Sequence, residues 1–331
     1  MWSPVVRNRI TRFAGIALGA VTIAAATACS GGSDGGDRIT VVASTNVWGD
    51  IAAAVAGPDA EVSSLISDPA ADPHSYEVTA VQAAELSDAD LIVYNGGHYD
   101  EFIDKAIGGK NKRTVNAVEI AGGGGADEHG HDHGAEGDAQ AAPADGHDHG
   151  NHEHDAHEHD NEHVWYDTHV AGEVAERIAD SLGELDPDHR QAYADRAAAF
   201  TARLAGIDAV VDRIAAEHPN QPVVQTEPLA QYLVLAAKAD DRTPHEFQEA
   251  IEQGTDPSPA AVAAVHDLIT TKQVRALIYN VQTEDKITKD IRALADTAGI
   301  AVVEVTETLP EGLDYIQWQT RNAEALATAL A

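Results

Sequence analysis

Histidines and acidic residues dominate one stretch of this sequence. Between 122 and 162 there are nine histidines, twelve acidic residues and no Lys or Arg, and the run closes with GNHEHDAHEHDNEHVWYD at 150–167. Imidazole nitrogens and carboxylate oxygens are ligands for divalent transition metals. A His-rich composition indicates metal binding but does not define a site. The residues around the run must therefore supply the geometry.

Two histidines stand in contexts that indicate ordered structure. His74 lies in DPHSYE (72–77), at the end of a loop between a strand and a helix, where α/β sheets hold their ligands. His163 begins HVWYD (163–167) at the start of a predicted helix. Asp167 is either a partner for an imidazole N–H or the N-cap of that helix, and both interpretations stay open at this point.

The elements that must position these residues alternate between strand and helix. ITVVAST (39–45) precedes an alanine-rich helical segment over 47–56, and a helix over about 79–87 precedes the strand ADLIVYNGG (89–97). Strand patterns recur at 222–227, 274–280 and 300–305. This alternation predicts an α/β fold with parallel sheets in two Rossmann-like lobes.

The segment between the lobes contains two kinds of sequence. No hydrophobic face can be built from 122–162, so we expect a disordered loop there. Helical periodicity then runs from 169 to 217, with a long unbroken stretch over 193–214. A helix of about 25 residues spans close to 40 Å. We therefore expect one long rigid helix that joins the lobes.

Composition narrows the classes of partner. The chain has 331 residues, 44% of them hydrophobic, which is enough for two domains with real cores. Its formal net charge is −34, from 21 Lys+Arg against 55 Asp+Glu. Such a charge disfavours nucleic acid and anionic membrane surfaces as partners. A cation is the ligand that this surface favours, and a role in solubility alone is the alternative explanation of the charge.

The N-terminus predicts export and a lipid anchor. Arg7, Arg9 and Arg12 precede an apolar run over 13–26, which is too short to span a membrane and is typical of a signal peptide. Cys29 is the sole cysteine, and Ala26-Thr27-Ala28-Cys29 looks like a lipobox. We therefore expect a lipid on Cys29 and a flexible tether after it.

A metal-dependent hydrolase is the enzyme class that needs consideration, because two histidines and a glutamate on zinc also describe hydrolytic sites. The chain contains no HExxH motif. We therefore expect no enzymatic activity.

Several motifs in order resemble one family. DPHSYEVTAVQAAELSDADLIVYNGG, HVWYD, LDPDHRQAYADRAAAF, DPSPAAVAAVHDLI and ETLPEGLDYIQWQTRNAEAL are similar to the substrate-binding lipoproteins of bacterial ABC importers for zinc and manganese. The resemblance covers 38–331. It implies a metal site at the interface of two α/β lobes joined by one long helix, and transfer of the metal to a membrane permease.

With this resemblance, the chain divides into seven expected segments. They are a lipoprotein signal peptide (1–28), a tether (29–37), an N-terminal α/β lobe (38–121), a disordered His/Asp/Glu-rich loop (122–162), the end of the N-terminal lobe (163–186), a linker helix (187–218) and a C-terminal α/β lobe (219–331).

The resemblance also implies the ligands. His74 and His163 match the first and second. The third precedes a tyrosine by five positions, which places it at Glu227 before Tyr232. The fourth lies about four positions past a late strand, which gives Glu284. Asn280 and Gln282 are the alternatives to Glu284.

Ligand type alone does not choose the metal, because imidazole and carboxylate together suit zinc and manganese. The nine loop histidines favour zinc (Zn²⁺), with Mn²⁺ as the alternative. They are expected to collect zinc weakly as auxiliary sites, with a passive solvated segment as the alternative: His129, His131, His133, His147, His149, His152, His154, His157 and His159.

The expected protein is a monomer anchored to the outer face of the cytoplasmic membrane, with an ABC permease as its partner. A surface adhesion or metal-storage lipoprotein is the alternative. Storage predicts several weakly bound ions, whereas an importer receptor predicts one tightly bound ion.

Overall fold

Two parallel α/β lobes make up the described part of the chain. The computed structural model describes residues 38–68, 73–122 and 161–331. Within these ranges, two four-stranded parallel sheets alternate with helices, so the predicted fold class is confirmed. The expected signal peptide, tether and Cys29 lie outside the described residues, as do the nine histidines between 129 and 159.

The N-terminal sheet is built from short, mostly apolar strands. They are β1 (Ile39–Thr45), β2 (Ala60–Ile66), β3 (Leu91–Tyr94) and β4 (Thr114–Asn116). Their order is β2-β1-β3-β4, and all neighbours pair in parallel. β1 and β3 lie at the centre, and β3 (LIVY) reads as a continuous apolar run, as buried parallel strands do. β2 carries Glu61, Ser63 and Ser64, and because of these polar residues the hydrophobicity pattern does not predict this strand.

Side-chain caps begin some of the helices of this lobe. The helices are α1 (Asn46–Ala56), α2 (Ala80–Asp88), α3 (Phe102–Ile107), α4 (Ala117–Ala121) and α5 (Thr168–Leu185). Thr79 and Gln82 form a capping box at α2. The Asp167 carboxylate accepts hydrogen bonds from the backbone N–H groups of His169 (2.8 Å) and Val170 (3.4 Å). Asp167 is therefore the N-cap of α5.

One long helix, α6 (Arg190–Glu217), connects the lobes. Its 28 residues correspond to about 42 Å. The predicted linker began at 187, but a turn over Asp186–His189 delays the helix by three residues. None of the helices in the described ranges is long and apolar enough to cross a membrane.

The C-terminal sheet repeats the parallel design. Its strands are β5 (Pro222–Gln225), β6 (Asp240–Asp241), β7 (Ala276–Asn280) and β8 (Ala301–Val305), in the order β6-β5-β7-β8. Its helices are α7 (Gln231–Ala236), α8 (His245–Glu252), α9 (Pro259–Thr270), α10 (Lys286–Ala298) and α11 (Tyr315–Leu330). Ser258 caps α9 through the N–H of Ala261, with Pro259 as the first helical residue.

A single continuous core joins the two sheets to α6. It contains Val41 of the first sheet, Phe200 of α6 and Ile278 of the second. α6 packs against α1, α5 and α11. The connection between the lobes therefore consists of packed side chains and not only of a covalent link, which favours a stiff molecule.

Arg196 ties α6 to the end of α1, and we expect its loss to be costly. Its guanidinium donates to the carbonyls of Val55 (2.6 Å) and Ala56 (2.9 Å) and to the carboxylate of Asp59 (2.8 Å). Carbonyls at a helix C-terminus have no partner within the helix. Arg196→Ala should therefore lower the free energy of unfolding by about 2–3 kcal/mol, measured by urea denaturation.

Arg203→Ala is the matched control for that measurement. Arg203 lies on the same helix but makes one largely exposed ion pair, with Asp314 at 2.8 Å. Its loss should cost about 1 kcal/mol or less. Equal destabilisation by the two substitutions would contradict the role of Arg196.

Candidate metal centre

Two histidines and one glutamate lie together between the lobes. Among the described residues, ligand atoms of His74, His163 and Glu307 all lie within 4.8 Å of one another. The two histidines belong to the N-terminal lobe, and Glu307 follows the last strand of the C-terminal lobe. The structure thus brings together His74 and His163, the first two predicted ligands, and adds a carboxylate that the sequence reasoning missed.

His163 is a fully buried side chain at the start of a short 3₁₀ turn, Val164–Tyr166. The rings of Trp165 and Tyr99 pack against it, with centroids at 5.2 Å and 6.0 Å. Its Nε2 atom has no hydrogen-bond partner among the described residues. Burial, and secondarily the neighbouring His74, lowers the pKa of His163 to about 3. The imidazole is therefore neutral, as a metal ligand must be, at any ordinary pH.

His74 lies at the solvent-facing side of the cluster. It belongs to the 3₁₀ turn Pro73–Ser75, which leads from β2 toward α2. Its ring stands edge-on to Tyr99 at 4.8 Å, and its Nε2 lies 3.9 Å from Oε2 of Glu307. The His74 side chain is 27% exposed, whereas Glu307 is 1% exposed. An ion would therefore reach the buried ligands past His74.

Glu307 stands two residues beyond β8 and is held from several directions. Asn280 donates to its Oε1 through Nδ2 at 2.9 Å, and the Tyr99 hydroxyl donates to Oε2 at 3.3 Å. Its backbone N–H donates to Oε1 of Gln282. Asn280 and Gln282, the alternatives considered for the fourth ligand, thus contact Glu307 and position it.

Glu227, the predicted third ligand, is buried but does not belong to the group of ligand atoms within 4.8 Å of one another. It lies two residues past β5 and is 3% exposed. Its carboxylate accepts a hydrogen bond from the hydroxyl of Thr283, in the loop after β7. Glu227 therefore occupies the correct edge of the sheet but is engaged with a neighbouring loop.

Glu284, the predicted fourth ligand, directly follows Thr283 in that loop but has different partners. It accepts a hydrogen bond from the Tyr279 hydroxyl at 2.8 Å and pairs with Lys289 at 3.4 Å and Arg292 at 4.0 Å. The hydrogen bond from Tyr279, and secondarily Lys289, lowers the pKa of Glu284. The structure does not bring Glu284 into the cluster.

The remaining described histidines lie away from the cluster. Four are exposed and pair with a carboxylate one helical turn away: His98 with Glu101, His169 with Glu173, His189 with Asp186 and His245 with Glu249. Such exposed pairs contribute little to stability.

The cluster has the chemistry of a divalent cation site. It offers two imidazoles and one carboxylate in a largely buried place, where a carboxylate is costly unless a cation or hydrogen bonds compensate its charge. Three protein ligands of these types suit zinc, and harder ions such as manganese also accept them.

Proteins of similar sequence are named for the uptake or binding of zinc or manganese. Residues 41–329 match the family model described as zinc-uptake complex component A, periplasmic. The zinc-binding lipoprotein AdcA of Streptococcus pneumoniae serotype 4 is 24% identical over 312 residues, which is 90% of this chain and 57% of AdcA. The manganese-binding lipoprotein MntA of Halalkalibacterium halodurans is 21% identical over 310 residues, 91% of this chain and 92% of MntA. The chain therefore spans little more than half the length of AdcA.

Solved structures share the fold. The periplasmic zinc-binding protein TroA from Treponema pallidum has a TM-score of 0.67 at 19% identity, over 89% of this chain and 99% of TroA. The laminin-binding protein Lmb of Streptococcus agalactiae, described as bifunctional in adhesion and metal transport, has a TM-score of 0.67 at 20% identity, over 88% of this chain and 100% of Lmb. Both resemblances extend across the two lobes.

Glu307→Gln should weaken binding of one tight zinc ion by more than about 100-fold, because even residues that only support a ligand account for 10- to 100-fold. The substitution keeps the side-chain volume and removes the charge. Competition titration against a chelator measures the loss.

Glu284→Gln is the matched control, since it makes the same chemical change at a carboxylate outside the cluster. Its zinc affinity should equal that of the unmodified protein. A larger loss in the Glu284 variant than in the Glu307 variant would contradict the site.

Proposed function

The chain belongs to the family of periplasmic zinc-uptake components, and from this premise we propose that it captures a divalent transition metal outside the cytoplasm and delivers it to an ABC permease. The metal is the transported substrate. The family consists of solute-binding receptors, and the protein acts by binding and release without chemical conversion.

The observation that carries the proposal is the buried Nε2 of His163. It has no partner among the described residues, and leaving a buried polar atom unpaired costs about 1–3 kcal/mol. His163 belongs to the group that also contains His74 and Glu307. A metal ion bound there satisfies this nitrogen and neutralises the buried carboxylate at once.

The proposed ligands are His74, His163, Glu307 and Glu227. Glu227 is buried at the carboxyl edge of the C-terminal sheet, as Glu307 is. It becomes the fourth ligand when its carboxylate leaves Thr283 for the ion. This set supplies two ligands from each lobe, so that one ion holds the lobes together.

Zinc is the proposed cargo. Two imidazoles suit zinc, and the affinity order of divalent metals places zinc well above manganese for such ligands. The nine histidines between 129 and 159 favour the same ion and serve as weak auxiliary sites. Manganese is the alternative, supported by the similarity to MntA over 92% of that protein.

An exported lipoprotein anchored through Cys29 is the proposed cellular form. Relatives of similar sequence are named as lipoproteins, and the N-terminal sequence has the charged, apolar and Cys-containing parts of a lipoprotein signal. The proposed partner is the membrane permease of a metal importer.

The test of metal identity is elemental analysis of protein purified without added metal, followed by competition between zinc and manganese. The unmodified protein is compared with a variant in which a Gly-Ser linker replaces 123–160. A receptor keeps one tight zinc ion in both. If replacement of 123–160 abolished all tight metal binding, the result would contradict the proposed site and favour a metal-storage function.

His163→Ala should abolish the single tight ion, because no other described side chain offers an unpaired buried imidazole nitrogen at the cluster. His98→Ala is the control, since His98 pairs with Glu101 at the surface. Isothermal titration calorimetry measures the zinc affinity of both substitutions, each made in the linker variant. Tight binding that survives in His163→Ala would overturn the assignment.

A further inference from the structure

Asn161, two residues before His163, contacts His163 of the candidate metal site and also contacts the opposite lobe. Its Oδ1 accepts a hydrogen bond from the backbone N–H of His163 at 2.9 Å and lies 2.8 Å from the ring Nδ1 of the same residue. Its Nδ2 donates to the carbonyl of Pro228 at 2.6 Å. Its own carbonyl accepts from the Tyr232 hydroxyl at 2.8 Å. Pro228 and Tyr232 belong to the C-terminal lobe.

Two of these partners fix the orientation of the Asn161 amide. A backbone N–H can only donate, and a backbone carbonyl can only accept. The atom that faces the His163 N–H is therefore the amide oxygen, and the atom that faces Pro228 is the NH₂ group. A flipped amide would oppose donor to donor at one end and oxygen to oxygen at the other.

The orientation of the amide determines the tautomer of His163. Because Oδ1 carries no proton, the hydrogen bond at 2.8 Å requires the proton on Nδ1 of the ring. In a neutral imidazole, the other nitrogen then bears the lone pair. That nitrogen is Nε2, the buried atom that has no hydrogen-bond partner in the part of the chain that the structure describes.

We propose that Asn161 is a positioning residue for the metal site, which holds His163 as the Nδ1–H tautomer and is itself oriented by the Pro228 carbonyl of the C-terminal lobe. The proposal rests on the metal-binding function proposed above. It extends that function, because the availability of the His163 Nε2 lone pair for a metal then depends on the contact between Asn161 and Pro228 of the other lobe. Pro228 directly follows Glu227, a proposed ligand.

One neighbouring group could replace the Asn161 amide. An oxygen of Glu252 in α8 lies 3.9 Å from Nδ1 of His163, beyond hydrogen-bond distance. If Asn161 were truncated, this carboxylate could move to accept the Nδ1 proton. The test is therefore made in an E252A background, with E252A alone as the reference.

The direct test is the tautomer of His163, read from the ¹⁵N chemical shifts of its ring in the full-length, metal-free protein. The unmodified protein and E252A should show one Nδ1–H tautomer. N161A/E252A should populate both tautomers. N161D/E252A should restore Nδ1–H, because either carboxylate oxygen accepts this proton without being oriented by Pro228.

Asn46→Ala controls for general loosening between the lobes. Asn46 also spans distant parts of the chain, since its amide donates to the carbonyl of Leu309 at 2.8 Å and accepts from its N–H at 2.9 Å. It does not contact His163, and its loss should leave the tautomer unchanged. A proton on Nε2 in the unmodified protein, or an unaltered tautomer in N161A/E252A, would overturn the proposal.

Zinc affinity is the second measurement, and it separates failure of this proposal from failure of the proposed function. Relative to E252A, N161A/E252A should bind zinc about 10- to 100-fold more weakly. A protein that binds neither zinc nor manganese but shows the expected tautomers would refute the proposed function and leave intact only the control of the His163 tautomer by Asn161. Equal affinity in the two variants would overturn the positioning role.

Discussion

The burial of one imidazole nitrogen, which finds no hydrogen-bond partner within residues 38–68, 73–122 and 161–331, is the constraint on which the rest of the structure depends. Nε2 of His163 is shielded by Tyr99 and Trp165, so water does not readily satisfy it and its ring cannot easily take a proton. Such an atom is unfavourable in the fold alone and becomes favourable when a cation binds. The metal-free protein therefore carries the free-energy penalty of an unpaired buried nitrogen, and metal binding removes this penalty.

The fold makes this arrangement possible by bringing the carboxyl ends of two parallel sheets together. The segments after β2 and β8 supply His74 and Glu307, and the segment after β5 supplies the buried Glu227. The shared core around α6 limits how far the lobes can separate. Hydrogen bonds between the lobes, such as the one from the Tyr166 hydroxyl to the Thr306 carbonyl at 2.9 Å, keep the ligand loops in register.

Much of this could be predicted from the sequence, because buried parallel strands and long helices have distinct periodicities. β1, β3 and α6 follow directly from apolar patterns, and His74 and His163 from motifs. The sequence alone could not show that Glu307, and not Glu284, is the carboxylate that lies beside the two histidines. Both follow apolar strands, and adjacent parallel strands end at the same edge. The difference arises from tertiary contacts: Tyr279, Lys289 and Arg292 engage Glu284.

The most direct measurement is the anomalous diffraction signal of zinc in crystals of the metal-loaded protein. The account predicts one strong peak between the lobes, about 2.0–2.2 Å from Nε2 of His163 and from a carboxylate oxygen of Glu307. A strong peak elsewhere, or an ion between the lobes that leaves Nε2 of His163 unbound, would contradict it.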